Sequence, residues 1–96
     1  MHQVAILPLA TDHIPYAQDI ATKLQHHGIR TTIDERTEKI NRKLRDAITQ
    51  KIPYMLIIGT KEVQQKTITI RQHSQDTQQH MTLDTFIAQF HTLHNQ

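Results

Sequence analysis

Six basic side chains crowd the stretch 36–51: Arg36, Lys39, Arg42, Lys43, Arg45 and Lys51, against two acids, Glu38 and Asp46. The whole chain carries a formal net charge of only +2, so this positive charge is local. Cationic groups along one exposed helix neutralise phosphates, a sequence-independent attraction that falls steeply with salt. Lys39, Arg42, Lys43, Arg45 and Lys51 are the candidates for that role. Guanidinium adds a planar fork for guanine O6 and N7, and single-stranded loops expose base edges to it. Two later residues are candidate base readers: Arg71, at the end of a Thr/Ile strand, and Glu62, whose carboxylate can accept from guanine N1–H and N2–H. The same charges also fit a plain solvated helix face, and charge alone does not decide between the two.

Catalytic chemistry finds little support. The two glycines, Gly28 and Gly59, are far apart and make no phosphate loop. There is no Gly-x-Ser-x-Gly and no cysteine nucleophile. The absence of cysteine also excludes a disulfide framework and thiolate metal sites. Asp34, Glu35 and Glu38 cluster where a helix begins, the usual place for carboxylates that serve the helix dipole. A phosphoacceptor would need an acid closing a strand, but the strands end Leu-Pro-Leu-Ala and Ile-Ile-Gly-Thr. His91 and His94 share a helix face and lack a third ligand at a defined spacing, so surface histidines are the simpler reading. Only Tyr16 and Tyr54 offer rings that could stack on bases, and both fit a partly buried core equally well.

These side chains need a scaffold, and 96 residues supply one domain, 1–96, with one thin core. Val4 to Leu9 is a continuous apolar run, which fits a strand buried on both faces. Ala17, Ile20, Ala21 and Leu24 form a helical stripe that opens near Thr11 or Asp12 and closes at Gly28. Ile29 to Ile33 reads as a short strand. Thr37 is the expected N-cap of a second helix that buries Ile40, Leu44, Ala47 and Ile48. Pro53 ends that helix, and Tyr54 to Ile58 is a second buried strand. Residues 61–66 are too few for a crossover helix, so Thr67 to Arg71 should pair antiparallel, one face buried and one wet. Residues 72–80 hold no apolar side chain and read as an exposed hairpin or edge strand. Thr82 can cap a last helix that buries Leu83, Phe86, Ile87 and Phe90. The expected fold is a three-layer α/β/α domain: three helices on a mixed five-stranded sheet, three strands parallel plus an antiparallel edge. No apolar run reaches the roughly 18–20 residues of a membrane span.

One run of residues carries a family resemblance: Asp34-x-Arg36-x-Glu38-Lys39-Ile40, Lys43-x-Arg45, Ile52-Pro53-Tyr54-Met55 and Gly59-x-Lys61-Glu62-Val63. It resembles the C-terminal anticodon-binding domain of class II aminoacyl-tRNA synthetases, most closely the threonyl version, from Gln3 to about Leu93. The resemblance implies the fold just described. It also implies a task, reading G and U of an N-G-U anticodon. The family's contacting positions fall on Thr37, Lys39, Arg45, Lys51, Glu62 and Arg71, beside the loop from Leu9 to Thr11. Several positions depart from the family pattern. Thr37 stands where Asn is common and Lys51 where Arg is usual, which removes a planar fork. Lys66 replaces a turn glycine, Asn41 a small residue, and the neutral 72–79 stretch a more basic one.

The resemblance further implies a cytoplasmic partner of tRNA, joined to the catalytic domain of a threonine–tRNA ligase, with no membrane association. Met1 standing at the first strand reads as a fragment boundary. No cofactor is expected in this domain; ATP, Mg and Zn are expected only in the missing catalytic domain. Any homodimer is expected to form through the intact enzyme. The departures at Thr37 and Lys51 and the neutral 72–80 hairpin keep a second reading open, a free-standing or repurposed copy of the fold acting in protein–protein contact or dimerisation.

Overall fold

In the computed structural model, which describes residues 3–73 and 77–94, the sheet is built outward from Val4–Pro8 (β1). Every residue of β1 is buried. It pairs in parallel with Thr31–Ile33 (β2) on one side and Tyr54–Ile58 (β3) on the other. Strand β3 pairs antiparallel with Thr67–Gln72 (β4), and β4 with Gln78–Thr82 (β5). The order is β2-β1-β3-β4-β5. Unbroken apolar runs in β1 and β3 follow from their position, since helices cover both faces there.

On one face, Ile14–His26 (α1) and Leu83–His94 (α4) bury Ala17, Ile20, Leu24, Leu83, Phe86, Ile87 and Phe90 against Val4, Ile6, Leu56, Ile68 and Ile70. On the other face, Ile40–Thr49 (α2) sets Leu44 and Ala47 against Ala5, Leu7 and Met55. Two of the expected caps form, but α1 opens from His13 after a short 3-10 turn over Thr11–His13, so neither Thr11 nor Asp12 caps it. Gly28 has φ 76° just beyond α1, and Thr82 Oγ1 accepts from Thr85 N–H at 3.2 Å. Both tyrosines are structural. Tyr54 packs edge-on against Phe86 and Phe90, and the Tyr16 hydroxyl donates to the Thr67 carbonyl at 3.0 Å.

Two further expectations change. A fourth, short helix, Thr60–Gln65 (α3), occupies the segment thought too short for one. It ends where Lys66 takes a left-handed conformation, φ 58°, the place where glycine is usual. Helix α2 begins at Ile40 with Lys39, not Thr37, at the N-cap. The reason is local. Arg36 is pinned by Asp34 and Asp46, which holds the preceding loop out of helical geometry. No helix among the described residues is long and apolar enough to cross a membrane.

Candidate nucleic-acid interface

The six basic residues divide into two groups. Lys43 is buried, 3% exposed, and its Nζ donates to the carbonyls of Pro8 at 2.9 Å and Asp34 at 3.0 Å. Burial pushes its ammonium below the ordinary lysine range, and the Asp34 carboxylate partly opposes that. Lys43 is therefore not a phosphate contact, contrary to the sequence reading. It sits one turn from both Ile40 and Ala47, on the packed side of α2, and ties the helix to the ends of β1 and β2. Arg36 is also spoken for. Its Nε and Nη2 reach the Asp34 carboxylate at 2.9 and 2.8 Å, and Nη2 reaches Asp46 at 2.7 Å. That guanidinium holds the Asp34 carboxyl below its usual range, through the hydrogen bond first.

Lys39, Arg42, Arg45 and Lys51 remain. All four are exposed, and among the described residues none makes an ion pair. Asp46 faces β2 through Arg36, which fixes the roll of α2. At about 100° per residue, Asn41, Arg45 and Ile48 then lie on the flank away from β2, toward β3 and β4. Lys39 starts the helix near the end of β1, and Lys51 follows it near the start of β3, with φ 60°. Ten residues at about 1.5 Å each separate these ends by ~15 Å.

The Lys39 end opens on a hollow lined by Pro8, Leu9, Thr11, Thr37, Lys39 and Lys43. Leu9, at its lip, is 47% exposed. The strand order reverses direction at β1, and such a reversal leaves a crevice beyond the carboxyl ends of the strands, the usual ligand position in open α/β sheets. Thr37 and the Leu9–Thr11 loop, linked before only through the family resemblance, meet here.

Arg71 pairs in register with Met55 and with Gln78. Met55 packs under α2, so Arg71 lies on the α2 face of the sheet. Two residues back, Thr69 shares that face and pairs with His80. At the Lys51 end, His73 N–H donates to the Pro53 carbonyl at 2.9 Å, and its ring Nε2 lies 3.0 Å from the Ile48 carbonyl. These bonds fasten the end of β4 to the end of α2. Arg71, Arg45, Lys51 and Lys39 thus share one face. Residues 74–76 of the expected 72–80 hairpin lie outside the described residues.

Glu62 departs from its expected role as a base reader. It is 7% exposed, and both carboxylate oxygens are used internally. Gly59 N–H donates to Oε1 at 2.7 Å, and the Thr69 hydroxyl to Oε2 at 3.0 Å. Glu62 is the third residue of α3 and reaches back to the residue before the helix, half of a capping box. Gly59 leaves room for this. A Cβ there would stand 2.7 Å from Leu9 Cδ1 and 3.1 Å from Glu62 Oε1. The Gly59-x-x-Glu62 spacing was the signal in the sequence, and its meaning appears only once residues 60–65 are helical. No group of three or more potential metal ligands occurs among the described residues, and the His94 side chain lies outside them.

Comparison with known proteins sets this geometry in a family. The family model described as "Anticodon binding domain" matches residues 3–93. The threonine–tRNA ligase of Sulfurihydrogenibium sp. (strain YO3AOP1) is 40% identical over 86 residues, 90% of this chain and 13% of the relative. That of Streptococcus pneumoniae (strain Hungary19A-6) is 40% identical over 87 residues, with the same coverage. Among solved structures, the RNA binding domain of threonyl-tRNA synthetase from Cryptosporidium parvum Iowa II superposes with a TM-score of 0.91 at 28% identity. That match covers 95% of this chain and 23% of the other. The chain spans about an eighth of the length of these curated relatives.

Proposed function

This chain belongs to the anticodon-binding domain family, and we propose that it grips the anticodon loop of a threonine tRNA on behalf of a threonyl-tRNA synthetase. The observation that carries this reading is one surface. Four exposed cations along α2 lie on the same side of the sheet as Arg71 and lead into the hollow at the end of β1. Lys39, Arg42 and Lys51 neutralise backbone phosphates, and Arg45 and Arg71 offer forks to the G and U of an N-G-U anticodon. Thr37 contributes a hydroxyl at the hollow, where the family more often has an amide. Glu62 acts indirectly, by fixing Gly59 and Thr69. Aminoacylation, with ATP, Mg and Zn, belongs to a catalytic domain outside this chain. Its relatives' greater length is consistent with such a domain.

Two substitutions test the division of labour. Lys39→Ala should weaken binding to every anticodon stem-loop and lower the slope of log affinity against log salt by about 1. Arg71→Ala should cost about 1–3 kcal/mol with the N-G-U loop and less with loops altered at G or U, relaxing discrimination. Titration of fluorescent stem-loops at two salt concentrations reads both effects. Unchanged affinity in both variants would remove this face from the proposed interface.

A further inference from the structure

On the open part of the α2 face, three groups from different elements form a line. Glu62 Oε2 accepts from the Thr69 hydroxyl at 3.0 Å, and Thr69 Oγ1 lies 2.8 Å from His80 Nδ1. A hydroxyl has one proton to give. A carboxylate can only accept, so the Thr69 proton points to Glu62. Thr69 can then meet His80 only as an acceptor, and Nδ1 must carry the imidazole proton. The other ring nitrogen, Nε2, is left with its lone pair, on a side chain that is exposed. Thr69, in contrast, is buried at 4%. The buried part of the line sets the tautomer, and the exposed part displays it.

His80 also stands in the right place. Its register partner is Thr69, and Arg71 is the diagonal neighbour on the same face, about 7–8 Å away between Cα atoms. Nothing in the basic pattern of the sequence marks this position, because it lies in the neutral run 72–80.

We propose that His80 is a further RNA-contacting residue. Its Nε2, held as an acceptor by Thr69 and Glu62, takes a hydrogen bond from a donor on the bound loop, either a base N–H or a ribose 2′-hydroxyl. Glu62 and Thr69 are its positioning residues. The inference rests on the anticodon reading above, and it gives Glu62 a part in recognition without direct contact. A fixed acceptor rejects the base edges that present only acceptors, so it adds discrimination that a lysine could not.

The test uses the whole chain at pH 8, where a histidine is ordinarily neutral. In the free protein, nitrogen-15 shifts of the His80 ring should report the Nδ1–H tautomer. Glu62→Gln should invert the line. Its amide donates to Thr69, whose hydroxyl turns to His80 Nδ1, and the ring becomes Nε2–H. His80→Asn keeps an atom near Nδ1 for Thr69 and removes Nε2. It should bind the N-G-U stem-loop about three- to tenfold more weakly at unchanged thermal stability. Single 2′-deoxy substitutions that abolish this difference identify a ribose donor. Base analogues without the N–H that abolish it identify a base donor. An Nε2–H tautomer in the free wild-type protein overturns the proposal, and so does His80→Asn binding as tightly as wild type. If the wild type itself ignores the stem-loop, the anticodon reading fails first, and this inference with it.

Discussion

Lys43→Ala should destabilise the fold by about 2–4 kcal/mol while leaving the RNA-binding surface of the folded protein intact. Its Nζ is the partner of two carbonyls, those of Pro8 and Asp34, at the junction of β1, β2 and α2. Leaving a buried acceptor unsatisfied costs about 1–3 kcal/mol, and the missing stem leaves a void as well. Part of this is recovered, because the variant no longer holds a cation away from water. Burial is the main reason its ammonium lies below the usual range. Lys43→Met, which keeps the stem and drops the charge, should therefore cost less than Lys43→Ala. Arg42→Ala, one residue away and exposed, should stay within about 0.5 kcal/mol of wild type. Urea unfolding of the three variants measures this. A Lys43→Ala protein with wild-type stability and weakened RNA affinity would return Lys43 to the phosphate contacts and contradict its place in the packing.

Glu62→Ala should be comparably damaging, again by about 2–4 kcal/mol. The N–H of Gly59 loses the acceptor that starts α3, and the Thr69 hydroxyl, 4% exposed, keeps only His80 of its two partners. The cavity sits where β3, α3 and β4 meet, so relaxation there shifts the strand that carries Arg71. Glu62→Gln should cost less, since its amide can still accept from Gly59 and donate to Thr69. Thermal unfolding separates the two variants. Equal and small losses in both would mean that the carboxylate is a surface group, free to meet a base.

These two residues also show what the sequence could and could not reveal. The strands at Val4 and Tyr54 and the stripes of α1 and α4 were legible because burial on one or two faces leaves a strong apolar pattern. The basic stretch was legible as charge, but not which cation turned inward. Lys43 fills a gap in the Ile40, Leu44, Ala47 stripe, and a lysine there reads as polar until two carbonyls are seen waiting for it. The six residues of α3 carry too little periodicity to announce a helix. Glu62 then looked like an exposed acid after a turn, when it is the brace of that turn. Thr37 resembled an N-cap, yet the Arg36 links to Asp34 and Asp46 are a tertiary constraint that moves the helix start to Ile40. His80 was hidden for the opposite reason. Its partners lie 11 and 18 positions back in the chain and meet only through the β4–β5 register and the start of α3.

The most direct measurement is the affinity of the wild-type chain for an anticodon stem-loop bearing N-G-U, set beside the same stem-loop with only the central G changed. If the α2 face and Arg71 read bases, the altered loop should bind about 1–3 kcal/mol more weakly at moderate salt, roughly a 5- to 150-fold gap. Equal affinities for the two loops would contradict base reading and leave only a cationic surface that holds any RNA.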